Sequence, residues 1–194
     1  GLLNAAARLN LEDLEKLQRP GFSIRLYDTR ESFFLAEALE CIQAFTASTA
    51  DNPTGICGPI GPTEQLPLVA QIINDQQIDV KDAHFWGMDE WVIDGKTADE
   101  SYPLSCKRAD MELLFNRIDR NLRMPDSHLH FPSVEALDAY TASFDDIRCL
   151  CMQGGQGETK HWAFNDPPQR VAPYLDNPPS PEEYRKQGAR VLEI

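Results

Sequence analysis

The segment TGICGPIGPTEQLPLVAQII, residues 54–73, decides the fold. Thr54-Gly-Ile-Cys57 is a short apolar run that breaks at Gly58-Pro-Ile-Gly-Pro62. Thr63 then stands where a helix cap is wanted, and Leu66, Val69, Ile72 and Ile73 follow at helical spacing. Pro67 falls in or beside the first turn of that helix, where a missing N–H costs least. The segment therefore reads as strand, tight turn, helix. The same unit recurs on either side. Phe22–Tyr27 alternates like a strand, and Asp28 with Glu31 suggests a capping box for a helix with Leu35, Leu39, Ile42 and Phe45 on one face. Ala83–Met88 is a further strand, ending on Asp89-Glu90, and Leu104, Met111, Leu114 and Ile118 mark the next helix. Leu129-His-Phe131 is a short strand, and Ser133 caps a helix containing Leu137 and Tyr140. Ile147–Met152 reads as a buried strand that empties into Gly154-Gly155, with Cys149 and Cys151 on one sheet face. Residues 1–20 read as a helical lead-in, with Leu11, Leu14 and Leu17 spaced by three.

Strand and helix alternate at roughly 30-residue spacing, the size of a βαβ unit. The expected architecture is α/β: one Rossmann-like, three-layer domain over residues 1–194 with a mainly parallel sheet. Ligands of such sheets bind at the carboxyl ends of the strands. Those ends are Gly58–Thr63, Asp89–Glu90 and Gly154–His161. Pro173–Pro181, rich in Pro and Asn, reads as a long surface loop or lid.

Composition narrows the function classes. Hydrophobic residues at 42% and charged residues at 25% fit a packed globular chain rather than a disordered one. The net charge of −13 is spread along the chain, with no basic patch to hold nucleic-acid phosphates. No apolar run reaches membrane-spanning length, and no basic segment followed by an apolar one opens the chain. The expectation is a cytoplasmic protein with neither membrane nor nucleic-acid partner. Its five cysteines fit reduced, buried thiols better than disulfides or a zinc site. His128 and His130 lack a clear third ligand, so no metal is expected there.

Three segments carry candidate chemistry. Gly58-Pro59-Ile60-Gly61-Pro62-Thr63 could turn backbone N–H groups toward an anion at a helix N-terminus. It lacks the Gly-Lys-Ser/Thr of a P-loop, and taken alone it reads equally as a tight turn. Asp89 and Glu90 are adjacent carboxylates at a strand end. Burial would raise the pKa of one and poise it as a base, whereas such pairs more often cap helices or sit as loop charges. In the run from Gly154 to Pro168, His161 titrates in the physiological range and Asp166 could orient its ring. By residue type alone, a core histidine bonded to a carbonyl is the commoner outcome.

Taken in order, these segments resemble the glucosamine-6-phosphate deaminase/isomerase family, in particular members with a Gly-Pro-x-Gly-Pro loop. The match runs from about Asp28 to about Asp166 and includes Met88-Asp89-Glu90, Ser101-Tyr102 and Gly155-x-Gly157 leading to His161-x-Ala163-Phe164-Asn165. The resemblance implies an amino-sugar phosphate substrate and no metal or organic cofactor. It makes Asp89 the enolising base and His161 the ring-opening acid/base, with Glu90 and Asp166 beside them. Gly58, Pro59, Ile60, Gly61 and Thr63 would line the phosphate side. The family's run is Gly-x-Gly-x-Asp-Gly-His-Ile-Ala-Phe-Asn-Glu-Pro. This chain has Thr159 for the Asp, Lys160 for the next Gly and Asp166 for the Glu. Thr159 cannot hold a negative charge against the imidazole. Lys160 either lowers the histidine pKa or supplies a cation for phosphate. Family members also continue through another βα portion beyond the equivalent of Val191–Ile194. The expected partners are a small-molecule sugar phosphate and a second copy of the chain in a homo-oligomer. The alternative reading is a non-catalytic sugar-phosphate-binding homologue.

Overall fold

A computed structural model describes residues 4–5, 7–58, 60–155 and 179–191. Two units are distinguished, Gly1–Phe33 and Phe34–Ile194.

In the first unit, helix α1 covers Leu11–Lys16. It starts at a capping box: the Asp13 N–H donates to Asn10 Oδ1 at 3.0 Å, and the Asn10 N–H returns to Asp13 Oδ2 at 3.3 Å. The strand expected over Phe22–Tyr27 does not form. Phe22 makes an isolated bridge with Arg19, and residues 23–27 have no regular structure. Alternation alone cannot supply a partner strand: Phe22, Leu26 and Tyr27 are all exposed. The expected Asp28–Glu31 box is also displaced, because Thr29 Oγ1 takes the Ser32 N–H at 3.1 Å.

The second unit is built on a four-stranded parallel sheet flanked by helices. Helix α2, Arg30–Thr46, enters it from the preceding segment. The strands are β1 (Thr54–Gly58), β2 (His84–Gly87), β5 (Leu129–His130) and β6 (Arg148–Met152), in the order β5-β2-β1-β6. Every pairing in it is parallel. Helix α3 covers Gln65–Asp75, α4 Cys106–Leu113 and α5 Leu137–Asp146. A short α6, Pro181–Arg185, starts at a Ser180–Glu183 capping box. Strands β3 (Val92–Ile93) and β4 (Lys96–Thr97) form a two-stranded hairpin. Its turn residues, Asp94 and Gly95, have φ of 51° and 75°, the positive values that tight hairpins need.

The sheet buries both faces. On one, Ile56 and Phe85 pack into the core with Val69, Ile73, Leu114 and Phe115. On the other, Trp86 stacks on Phe144 of α5 at 4.7 Å and donates its indole N–H to Ser143 at 2.8 Å. This is the Rossmann-like α/β arrangement that the alternation implied. Local boundaries differ in informative ways. The buried stripe of α2 is Ala38, Cys41, Ile42 and Phe45, while Leu35 and Leu39 face out. Thr63 does not cap α3: the cap position falls on Glu64, whose side chain makes no capping bond to the helix. Ser133 likewise stands apart from α5, whose cap position is Ala136. Leu104 lies outside α4 and is exposed. Finally, among the described residues β6 is the last strand of the sheet order, and it is not buried. Cys149 and Cys151 are half-buried on one face, while Arg148, Leu150 and Met152 are exposed on the other.

Candidate active site

The carboxyl ends of β1, β2 and β6 are tied together by backbone. The Met88 N–H donates to Gly58 O at 3.0 Å, and the Gln153 N–H donates to Cys57 O at 3.0 Å. From α5, the Tyr140 hydroxyl donates to Gly87 O at 2.7 Å. These bonds set the backbone from which Asp89 and Glu90 project.

The two carboxylates have different surroundings. Glu90 Oε1 accepts from the N–H groups of Trp91 (2.9 Å) and Cys106 (3.0 Å). Its Oε2 accepts from the Ser105 hydroxyl and the Lys107 N–H, both at 3.0 Å. Glu90 thus saturates the first turn of α4, where backbone donors and the helix dipole favour a negative charge. Asp89 is half-buried, and its charge is felt by Cys57, Cys106, Asp110 and Tyr140. Burial, reinforced by Cys149 and Asp89, pushes the Cys57 thiol up to about 12. Burial and the Glu90 and Asp89 charges do the same for Cys106. The Tyr140 phenol is raised by burial first and then by Cys57 and Asp89. All three groups stay neutral at physiological pH, so the charge at this strand end rests on carboxylates.

Asp110 and Tyr140 are the residues of this neighbourhood that sequence reasoning missed as site groups. Asp110 had a legible signal. It sits between Cys106 and Leu114 at i+4 spacing, on the stripe of α4 that faces the core.

The Gly58–Thr63 loop is differently furnished. Ile60 packs against the core, and Gly61 adopts φ +137°. Gly155 lies against this loop so closely that a Cβ on it would come within 2.7 Å of Gly61 O. The third strand end therefore meets the first, as expected. The Thr63 N–H, a candidate phosphate donor, instead meets Glu64 Oε2 at 3.1 Å. Glu37 is raised to about 7 by burial, with Glu40 and Glu64 adding like charge. Gln153 Nε2 bridges Glu37 O at 2.9 Å and Glu40 Oε2 at 3.2 Å.

Pro59, Thr159, Lys160, His161 and Asp166, and residues 173–178 of the expected Pro173–Pro181 loop, lie outside the described residues, while Ser180 and Pro181 begin α6 instead of a loop. Elsewhere, a cavity of about 470 Å³ is lined by Lys81, Arg120, Arg123 and His128 among others, and by none of the candidate site residues. His84 Nδ1 and His130 Nε2 are 3.0 Å apart, and His128 stacks on His84 at 4.0 Å. Burial first, then the neighbouring His128 and His130, lowers His84 to about 4. Among the described residues, no group of three His, Cys, Asp or Glu side chains is arranged to hold a metal ion. No described helix is long and apolar enough to cross a membrane.

No family model matches the chain, and no curated protein matches it. Among solved structures, the arrangement shares the Rossmann-like fold of the NagB superfamily. The likeness is to a monomeric glucosamine-6-phosphate deaminase described as a missing link of that superfamily, with a TM-score of 0.53 and 17% identity. It covers 69% of this chain and 56% of that one, so this chain spans little more than half the length of that structure.

Proposed function

We propose that the chain is an aldose–ketose isomerase/deaminase acting on an amino-sugar phosphate such as glucosamine 6-phosphate, of the Gly-Pro-x-Gly-Pro type. The observation that carries this reading is the position of Asp89. It follows the carboxyl end of β2, one residue beyond the Met88–Gly58 bond, and its neighbour Glu90 is committed to the N-terminus of α4. Glu90 thereby fixes the backbone of Asp89, the carboxylate that moves the proton in this reading. The fold shared with a glucosamine-6-phosphate deaminase agrees with the reading.

In this mechanism His161, supported by Asp166, opens the sugar ring. Ionised Asp89 takes the C2 proton and returns it at C1, and water replaces the amino group. The products are the ketose phosphate and ammonia. Gly58 to Thr63 flank the phosphate, with Thr159 beside His161 and Lys160 as the cation. Positioned proton transfer contributes about 10²–10⁴-fold, so Asp89→Asn should lower ammonia release from glucosamine 6-phosphate by that factor. The reading places the chain in the cytoplasm, where its thiols stay reduced, and homo-oligomer formation belongs to it as well.

One observation favours the second reading, a non-catalytic sugar-phosphate binder. The Thr63 N–H is held by the Glu64 carboxylate, and Glu37 and Glu40 are close by. Calorimetry with sugar phosphates separates the two: binding without ammonia release supports the binder, and turnover removes it.

A further inference from the structure

Helix α4 turns Cys106 and Asp110 toward the core. An amphipathic helix places an apolar side chain at such a position. Asp110 is fully buried, and neither of its carboxyl oxygens has a hydrogen-bond partner among the described residues. It lies directly behind the turn that carries the candidate base. A Cβ on Gly87 would sit 3.5 Å from Asp110 Oδ2 and 2.6 Å from the Phe131 ring. The Phe131 ring fills the space a side chain at the last residue of β2 would need, and the Asp110 carboxyl lies within van der Waals reach of the same point.

Among the described residues, the charged and titratable groups that act on Asp110 are acidic. Asp89 and Glu90 act on it from the turn after β2. The Cys106, Cys57 and Cys41 thiols face it from α4, β1 and α2. The two cations near the start of α4 are engaged elsewhere. Lys107 pairs with Glu100 at 2.5 Å and lies 5.9 Å from the centre of the Phe131 ring. Arg108 donates to Pro103 O at 2.6 Å and lies 3.8 Å from Glu112. An ionised carboxylate cannot be kept this deep without a counter-charge or donors. Burial, then Glu90, then Asp89 hold its pKa well above the ordinary carboxylate range.

We propose that Asp110 is a neutral carboxylic acid that acts as a positioning residue for Asp89, keeping the proton of a three-carboxylate cluster on its most buried member. The role at Asp89 rests on the deaminase reading; the protonation of Asp110 does not. The chemistry follows from like-charge repulsion. Were Asp110 ionised, its negative charge would raise the pKa of Asp89 and oppose the ionised form of the base. With the proton on Asp110, Asp89 stays ionised at neutral pH and can accept the C2 proton.

The test is carbon NMR of the aspartate carboxyls of the intact protein, titrated from about pH 4 to about pH 9, a window that begins at the ordinary aspartate pKa. One carboxyl should remain protonated at neutral pH, and Asp110→Asn should remove that signal. Asp89, assigned with Asp89→Asn, should titrate at the same pH in wild type and in Asp110→Asn, because a neutral amide replaces a neutral acid. Two results overturn the proposal. In one, every aspartate of the wild type titrates in the ordinary range. In the other, Asp89 titrates about one unit lower in Asp110→Asn, the sign of a lost negative neighbour. The first is read on wild type alone, so it holds even if the variant fails to fold. Neither depends on turnover. A wild type that releases no ammonia refutes the deaminase reading and leaves the carboxyl spectrum to decide the state of Asp110.

Discussion

The ends of β2 and β1 adjoin, joined by the Met88–Gly58 bond, yet they treat negative charge in opposite ways. At the end of β2 each acid has a distinct environment. Glu90 is saturated by a helix N-terminus, Asp110 is fully buried, and Asp89 stands half-buried next to Glu90. At the end of β1 the acids crowd instead. Glu37 has a buried oxygen without a partner and feels Glu40 and Glu64, while Glu64 occupies the Thr63 N–H. The contrast teaches that carboxylates become useful when the backbone assigns each a separate environment. The β2 end suits proton transfer. The β1 end binds an anion only against the field of its own acids.

The comparison breaks most visibly at Glu90. Asp89 should lose its fixed backbone if the carboxylate that anchors the turn is deleted. Glu90→Ala leaves the Cys106 and Lys107 N–H groups and the Ser105 hydroxyl without their acceptor. The expected loss is about 2–3 kcal/mol in urea denaturation, with ammonia release falling alongside. Unchanged stability would mean that the helix cap does not organise this turn.

A smaller effect tests the β1 end through pH. Glu37 has a folded-state value of about 7 against an ordinary 4.5. Between those values the folded state holds the extra proton, so stability should fall as pH rises through the window and level off above it. Glu37 is only partly buried, so solvent screening reduces the effect to about 1 kcal/mol. Glu37→Gln should flatten the fall in a series of melting curves taken across this range. A curve as steep as the wild type's would show that Glu37 is not strained by its neighbours.

The smallest effect sharpens the same region. Glu64→Gln removes the charge that competes for the Thr63 N–H. Sugar-phosphate affinity by calorimetry should rise about three- to tenfold, the gain of roughly 1 kcal/mol expected from deleting one exposed like charge. Weaker binding would place the phosphate away from this loop.

The sheet was legible because its signals were local and repeated. Thr54–Gly58 and α3 carry turn residues and helical spacing in one continuous stretch, and Ala83–Met88 contains β2 within one residue at each end. The strand end bearing Asp89-Glu90 followed from the same pattern. What failed needed knowledge of partners. Phe22–Tyr27 alternates like a strand, yet pairing depends on a neighbour that alternation does not specify. Ile147–Met152 reads as buried because it is apolar, but among the described residues nothing covers the face that carries Leu150 and Met152, and both are exposed. The stripe expected through Leu35 and Leu39 is replaced by one through Ala38 and Cys41, because helical spacing alone allowed either neighbouring face to be the buried one. Asp110 was overlooked although its i+4 spacing from Cys106 puts it on the core stripe of α4, because a charged letter is ordinarily read as surface.

Ammonia release from glucosamine 6-phosphate, compared between wild type and Asp89→Asn, tests the central assignment most directly. The account predicts turnover in the wild type and a fall of about 10²–10⁴-fold in the variant, with the variant as stable as the wild type. Equal rates in the two proteins, whether at background or well above it, would contradict Asp89 as the base at the end of β2.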